Sequence, residues 1–287
     1  MKLGAVFPQL EIGSDPAAIR DYVQAVEGMG FDYLLAYEHI LGADPADYPE
    51  RRFAYGLEDM FHEPFVLFGF MAGLTTRLEF ATGILILPQR NTAVVAKQAA
   101  EVDVLTGGRL RLGVGVGWNQ AEMEAVGYRF ENRGRRVDEQ LTVLQRLWSE
   151  PRMAFEGEFH HIPGLGINPL PVQRPIPLWF GGAAEPVLRR MARFGAGWMP
   201  NSMTPDSVRS TVETIHELLR QQGRNPAEFG IDARITPSRQ PQDTWTDTAA
   251  GWRALGATHL CCNTMDNGFT SVDEHLAELE TFKAEVG

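Results

Sequence analysis

The sequence predicts an α/β fold, a closed TIM-type (β/α)8 barrel, and three observations carry the prediction. Eight β-type runs alternate with helical stripes along 287 residues. A helix-to-strand turn built on glycine recurs, at Met29-Gly30-Phe31, Phe194-Gly195-Ala196-Gly197-Trp198 and Leu255-Gly256-Ala257-Thr258, with a looser copy at Thr106-Gly107-Gly108-Arg109-Leu110. The length suits one barrel domain spanning 1–287 better than two ordinary domains, since such barrels run to roughly 250 residues.

The predicted strands are Leu3–Phe7, Tyr33–Tyr37, Leu78–Leu85, Leu110–Val116, Pro177–Phe180, Gly197–Pro200, Gly230–Ile235 and Thr258–Cys262. Glycine closes a helix in the left-handed conformation, so the chain passes straight into the next strand. Short helix-to-strand turns in series imply parallel strands joined by helical crossovers. An open doubly wound sheet is the alternative. The first helix opens at Ser14-Asp15-Pro16, a capping residue followed by proline, and places Ile19, Tyr22, Val23, Val26 and Met29 on one face. A later one lines up Val137, Leu141, Leu144, Leu147 and Trp148.

Two stretches interrupt the alternation: Ile40–His62, after the second strand, and Pro151–Ile176, before the fifth. Long ordered loops on a barrel are commonly lids or substrate walls. The first is expected to be one. The second is either that or a surface excursion packing the rim.

Composition excludes several function classes. The net charge is −11 with no basic block, which argues against nucleic acid or an anionic membrane as partner. Leu3–Phe7 opens the chain without a signal-peptide core, and no run is long enough to span a bilayer, so the expected location is cytoplasmic. Cys261 and Cys262 are adjacent on a predicted strand and point to opposite faces, poorly placed to pair. Histidines 62, 160, 161, 216, 259 and 275 make no HxH or HExxH spacing, so no metal is expected, and no GxSxG elbow is present.

A barrel of this kind works at the carboxyl ends of its strands. That rule selects Glu38 and His39 after the second strand, Gly83 and Ile84 at the third, Gly113–Asn119 after the fourth, and Gly181-Gly182-Ala183 after the fifth. His39 is the candidate for proton transfer. The Gly113-x-Gly115-x-Gly117 run either lets strands pack closely or brings backbone N–H groups to a flat or anionic ligand. Gly181-Gly182-Ala183 precedes a helix start and offers N–H donors to a phosphate, or is a tight turn and no more.

The stretch from Ala96 to Arg109, alanine-rich and ending Asp103-Val104-Leu105-Thr106-Gly107-Gly108-Arg109, followed by Leu112-Gly113-Val114-Gly115, resembles the luciferase-like monooxygenase superfamily. Pro177–Ala183 and Gly195-Ala196-Gly197-Trp198 are similar to its later segments. The opening, Gly4 to Pro8 with Tyr37-Glu38-His39-Ile40, most resembles the branch using the deazaflavin coenzyme F420. The resemblance implies a ring system at the barrel mouth beside Glu38 and His39, with His39 as proton donor. It implies a non-proline cis peptide at Gly83–Ile84 behind the ring. Val116, Gly117, Gly181, Gly182 and Ala183 would hold the ribityl chain and phosphate, with Asn119 a further cofactor-binding candidate. The sugar-phosphate dehydrogenases of this family carry a catalytic glutamate where this chain has Trp118, which puts that reaction in doubt and suggests an apolar wall.

The leading expectation is hydride transfer between F420 and an unidentified small organic substrate. The alternatives are an FMN-dependent monooxygenase and, from another class, a non-catalytic flavin-binding barrel. A homodimer is expected through the helix Glu63–Thr75, because Phe65, Val66, Leu67, Phe68, Phe70, Met71 and Leu74 leave it no polar face. Its alternative is that the Ile40–His62 loop covers the second apolar side.

Overall fold

The computed structural model describes residues 1–50 and 53–287; Arg51 and Arg52, inside the first insertion, lie outside the described residues. The order is β1 (Lys2–Val6), α1 (Pro16–Gly28), β2 (Tyr33–Ala36), α2 (Pro64–Ala72), β3 (Glu79–Thr82), β4 (Leu85–Ile86), α3 (Thr92–Thr106), β5 (Leu110–Gly115), α4 (Gln120–Ala125) and α5 (Arg133–Ser149). Then follow β6 (Met153–Glu156), β7 (His161–Leu165), β8 (Leu178–Gly181), α6 (Glu185–Phe194), β9 (Gly197–Met199), α7 (Pro205–Gln221), β10 (Gly230–Ile235), α8 (Trp245–Ala254), β11 (His259–Cys262) and α9 (Val272–Val286).

The parallel strands run β3-β2-β1-β11-β10-β9-β8-β5-β4, and pairing of β3 with β5 closes them into a barrel. β3 and β4 are two halves of one stave, interrupted at Gly83–Ile84, whose peptide bond is cis. Eight staves result, each at a stretch the sequence marks as a strand, and the open-sheet alternative falls.

The two-residue period of the strands divides the apolar side chains into two cores. Outward residues such as Leu34, Phe80, Leu112, Phe180, Ile231 and Cys262 pack against the helices, including Ile19, Tyr22, Val23 and Val26 of α1 and Leu141, Leu144 and Trp148 of α5. Inward residues, among them Val6, Leu35, Ala81, Trp179, Met199 and Cys261, fill the barrel. Cys261 and Cys262 thus belong to different cores. The amino end of the barrel is closed by a polar layer. Arg111 stacks between Tyr33 (4.5 Å) and Trp179 (4.7 Å) and reaches Asp232 at 3.2 Å, while the Tyr33 hydroxyl donates to Asp232 at 2.5 Å.

Local chemistry sets the helix ends. Asp15, Glu63, Asn91 and Asn119 cap α1, α2, α3 and α4 by accepting from backbone N–H groups, and Ser271 with Glu274 forms a capping box on α9. One predicted turn differs in detail. Gly195 is extended (φ −85°) and not left-handed; a Cβ there would come within 2.9 Å of the Met191 carbonyl oxygen, so glycine serves close approach.

The two insertions go to different places. Phe61 of the first lies edge-on to His39 and Tyr55 packs tilted against it, and Tyr55 lines the central cavity, so this segment walls the barrel mouth. It does not hide α2: Val66 stays 70% and Phe70 44% exposed. The second contains the antiparallel hairpin β6–β7. The hairpin is tied to α5 by Glu139, which accepts from the N–H groups of Glu158 and Phe159 and contacts His160 Nδ1 at 2.9 Å. None of its residues lines the cavity, which makes it a rim excursion. Among the described residues no helix is long and apolar enough to cross a membrane.

Candidate active site

The carboxyl ends of the strands surround a cavity of about 470 Å³. Eight of the ten positions singled out in the sequence line it: Glu38, His39, Gly83, Ile84, Val116, Gly117, Gly181 and Gly182. The other two do not. The Asn119 side chain is buried, capping α4 and bonding the Glu122 carboxylate. Ala183 packs on the outer core beyond the turn.

β2 delivers two adjacent ionisable groups with different tasks. Glu38 is buried, and its carboxylate accepts from the Ile86 N–H and from Arg90, which also bonds Glu63 at 2.8 Å. Burial pushes the Glu38 carboxyl up, against the pull of Arg90. Both its oxygens are thus engaged in tying β2 to β4 and, through Arg90, to the start of α2.

His39 is held differently. Its Nδ1 lies 3.0 Å from Glu122 Oε2, and the rings of Tyr55, Phe61 and Trp118 surround it at 5.2, 4.8 and 6.1 Å. Glu122 itself is buried and accepts from the N–H groups of Ile40 (2.6 Å) and Leu41 (3.3 Å) and from Gln89 (3.2 Å). Burial raises a carboxyl, but the His39 contact and these N–H groups outweigh it and hold Glu122 below the usual carboxylate range. An ionised carboxylate on Nδ1 selects the neutral tautomer with the proton there, so Nε2 is the nitrogen free to exchange a proton. Among the described residues Nε2 has no hydrogen-bond partner. Glu122 went unnoticed in the sequence. Its signal was the Asn119-x-x-Glu122 spacing of a helix start, which reads as capping alone.

The wall opposite is built from backbone. A Cβ at Gly115 would come within 1.8 Å of Ile84, and one at Gly117 within 2.5 Å of Ile86, so these glycines let β5 lie against the interrupted stave. Gly113 packs the same way against the Thr82 carbonyl oxygen, outside the cavity lining. Gly182 adopts φ +91°, where a Cβ would touch only Val187 at 4.0 Å, and its carbonyl accepts from Trp198 Nε1 at 2.8 Å. α6 starts just after it with no side-chain cap; Pro186 carries no N–H and the Val187 N–H is bonded to the Ala184 carbonyl, so the Glu185 N–H is the first-turn donor left for an anion. A side-chain-free wall ending at an uncapped helix start fits a flat ring carrying a phosphate. Trp118 lines the rim, half exposed, 6.4 Å from Phe53.

The third sector comes from β9, β10 and β11. It brings Asn201, Ser202, Arg234, Thr236, Arg239, Asn263 and Asp266 to the cavity, none of them singled out in the sequence. A signal existed in β10, where Asp232 and Arg234 alternate with Ile231, Ala233 and Ile235 and so share the inward face.

The family model of luciferase-like monooxygenases matches residues 2–285. An uncharacterised protein of Mycobacterium tuberculosis is 38% identical over 172 residues, which are 60% of this chain and 59% of that relative's length. The FMNH(2)-dependent dimethylsulfone monooxygenase of Pseudomonas putida is 28% identical over 75% of this chain and 57% of its own. Among solved structures, an F420-dependent secondary alcohol dehydrogenase superposes with a TM-score of 0.80 at 16% identity, covering 100% of this chain and 99% of that one. The coenzyme F420-dependent tetrahydromethanopterin reductase of Methanopyrus kandleri gives 0.76 at 15% identity, covering 99% and 98%. At these identities the superpositions show the shared barrel. The full-length family match, together with that barrel, establishes that this chain belongs to the luciferase-like monooxygenase family.

Proposed function

We propose that the protein is a coenzyme F420-dependent oxidoreductase acting on a small organic molecule. The observation that carries this reading is His39, fixed by the buried Glu122 carboxylate at the edge of a glycine-walled cavity. When bound, the deazaflavin supplies the acceptor or donor of a hydride. Gly83, Ile84, Val116 and Gly117 would flank its ring, and Gly181, Gly182 and the Glu185 N–H opening α6 would take the phosphate. His39 Nε2 accepts the substrate proton in the oxidising direction and returns it in the reducing one. Glu122 holds the tautomer and steadies the imidazolium as it forms. The aromatic rings around His39 keep water from the exchange.

A second reading, an FMN-dependent monooxygenase, is favoured by the similarity to the Pseudomonas enzyme, whose name specifies FMNH(2). Titrating the apoprotein with F420 and with FMN, followed by fluorescence quenching, tests the choice. The first reading expects F420 to bind at least tenfold more tightly; the reverse order replaces it with the second. A non-catalytic barrel would be indicated by cofactor binding with turnover unchanged in His39→Ala.

The proposal extends to a homodimer through α2. What supports it is the exposed apolar strip of Val66 and Phe70, with Gly69 and Gly73 leaving room for a close helix approach.

A further inference from the structure

We infer that Arg234 is the anchor for an anionic group on the substrate, a carboxylate, sulfonate or phosphate. The inference rests on the redox reading above and narrows its substrate class.

Arg234 points into the barrel because it shares the inward face of β10 with Asp232. Asp232 is already occupied by Tyr33 and Arg111 in the layer below. Arg234 stands one step nearer the mouth and lines the cavity. Its guanidinium lies over the Tyr37 ring at 5.0 Å, and Nη1 donates to Asn201 Oδ1 at 3.0 Å. Its Nε is buried without a hydrogen-bond acceptor; the groups that act on the guanidinium are the Tyr37 hydroxyl, the thiol of Cys261, its register partner on β11, and Asp232 in the layer below.

The other charges at the mouth are matched. Glu38 faces Arg90, His39 faces Glu122, and Arg239 lies 3.8 Å from Asp266 while bonding Ser202 at 3.3 Å. Among the described residues Arg234 alone of the cavity-lining charges has no opposite charge within 4 Å. A guanidinium stays ionised at any working pH, so the cavity keeps a permanent unmatched positive charge. Leaving the buried Nε donor of a charged group unsatisfied is costly, and a ligand anion relieves that cost.

Position separates this charge from the cofactor wall. The glycines that fit the ring and phosphate lie on β4, β5, β8 and their turns. β10 stands three staves from β2 along β2-β1-β11-β10, so Arg234 and His39 face the cavity from different sides. An anionic group held on Arg234 fixes one end of the substrate, and the carbon that exchanges hydride lies between that anchor and His39.

The probes are 4-fluorobenzoate and its neutral counterpart 4-fluorobenzamide, followed by fluorine NMR line broadening with the full-length protein, with and without cofactor. The expected result is at least tenfold tighter binding of the benzoate, displaced by inorganic phosphate. Arg234→Met should abolish that preference with a circular dichroism melt close to the parent's, and Arg234→Lys should retain part of it. Equal binding of the two probes to the parent protein overturns the inference, as does a preference that survives Arg234→Met. A second arm identifies the source of the anion. If Arg234→Met weakens FMN more than fivefold but leaves riboflavin, which lacks the phosphate, unchanged, the charge belongs to the cofactor and the substrate assignment fails. If neither F420 nor FMN binds, the redox reading fails by itself, and the benzoate preference without cofactor still reports on Arg234.

Discussion

Glu122→Gln tests the proton-transfer reading because the two oxygens of Glu122 serve different donors. Oε1 receives Ile40 N–H, Leu41 N–H and Gln89 Nε2, whereas Oε2 receives His39 Nδ1 and Asn119 Nδ2. A glutamine keeps one acceptor. Its oxygen settles where three donors converge, which turns its NH2 group toward His39. Nδ1 must then accept, so the ring proton moves to Nε2 and that nitrogen can no longer take a proton from substrate. General acid–base contributions of about 10²–10⁴-fold are at stake, or roughly 3–5 kcal/mol of barrier. Loss of charge-assisted hydrogen bonds adds a stability cost of about 1.5–3 kcal/mol. The tautomer is read directly, without a known substrate, from nitrogen-15 chemical shifts of labelled histidine. The parent protein should show His39 protonated at Nδ1, and Glu122→Gln should show it protonated at Nε2. An unchanged tautomer, with turnover of any accepted substrate also unchanged, refutes the role given to Glu122.

Gly182→Asp should weaken cofactor binding by tenfold or more, since it sets a carboxylate at the start of α6 in a backbone conformation (φ +91°) that side chains resist; unchanged affinity in a fluorescence titration would place the phosphate elsewhere. Phe70→Glu should convert a dimer to a monomer by light scattering at micromolar concentration, and a parent protein of monomeric mass would remove the dimer proposal. Stability should fall as the pH drops below about 6.5. Burial, helped by Arg111 and Lys2, pushes His259 down to about 2, so below the unfolded value the unfolded chain binds the extra proton; the contribution is full above that value and is lost as pH falls. At pH 5 the loss from His259 is about 2 kcal/mol, and His275, which burial pushes down to about 4, loses stability over the same window. His259→Phe, which keeps the packing against Tyr33 and Trp179, should flatten the dependence of Tm on pH between 7 and 5, and an identical slope would refute the assignment.

The barrel was legible in the sequence because its signals are local. Periods of two and 3.6 residues, glycine at helix ends and capping residues act over a few positions, and all eight staves follow from them. His39 was legible for the same reason, as a titratable group directly after a strand. The β6–β7 hairpin was not, since both its strands are largely exposed, and Pro163-Gly164 inside the second reads as a turn signal. Glu122 reads as an ordinary first-turn acid until the fold brings it 83 positions back along the chain to His39. Arg234 shows its facing in the alternation of β10, but its lack of a counter-charge emerges only when eight strand ends share one cavity. The sequence by itself determined which segments become staves and which strand ends face the mouth. Only the tertiary structure decided which charges meet and which remains unmatched, because pairing depends on distances between residues far apart in the chain, and no local pattern records them.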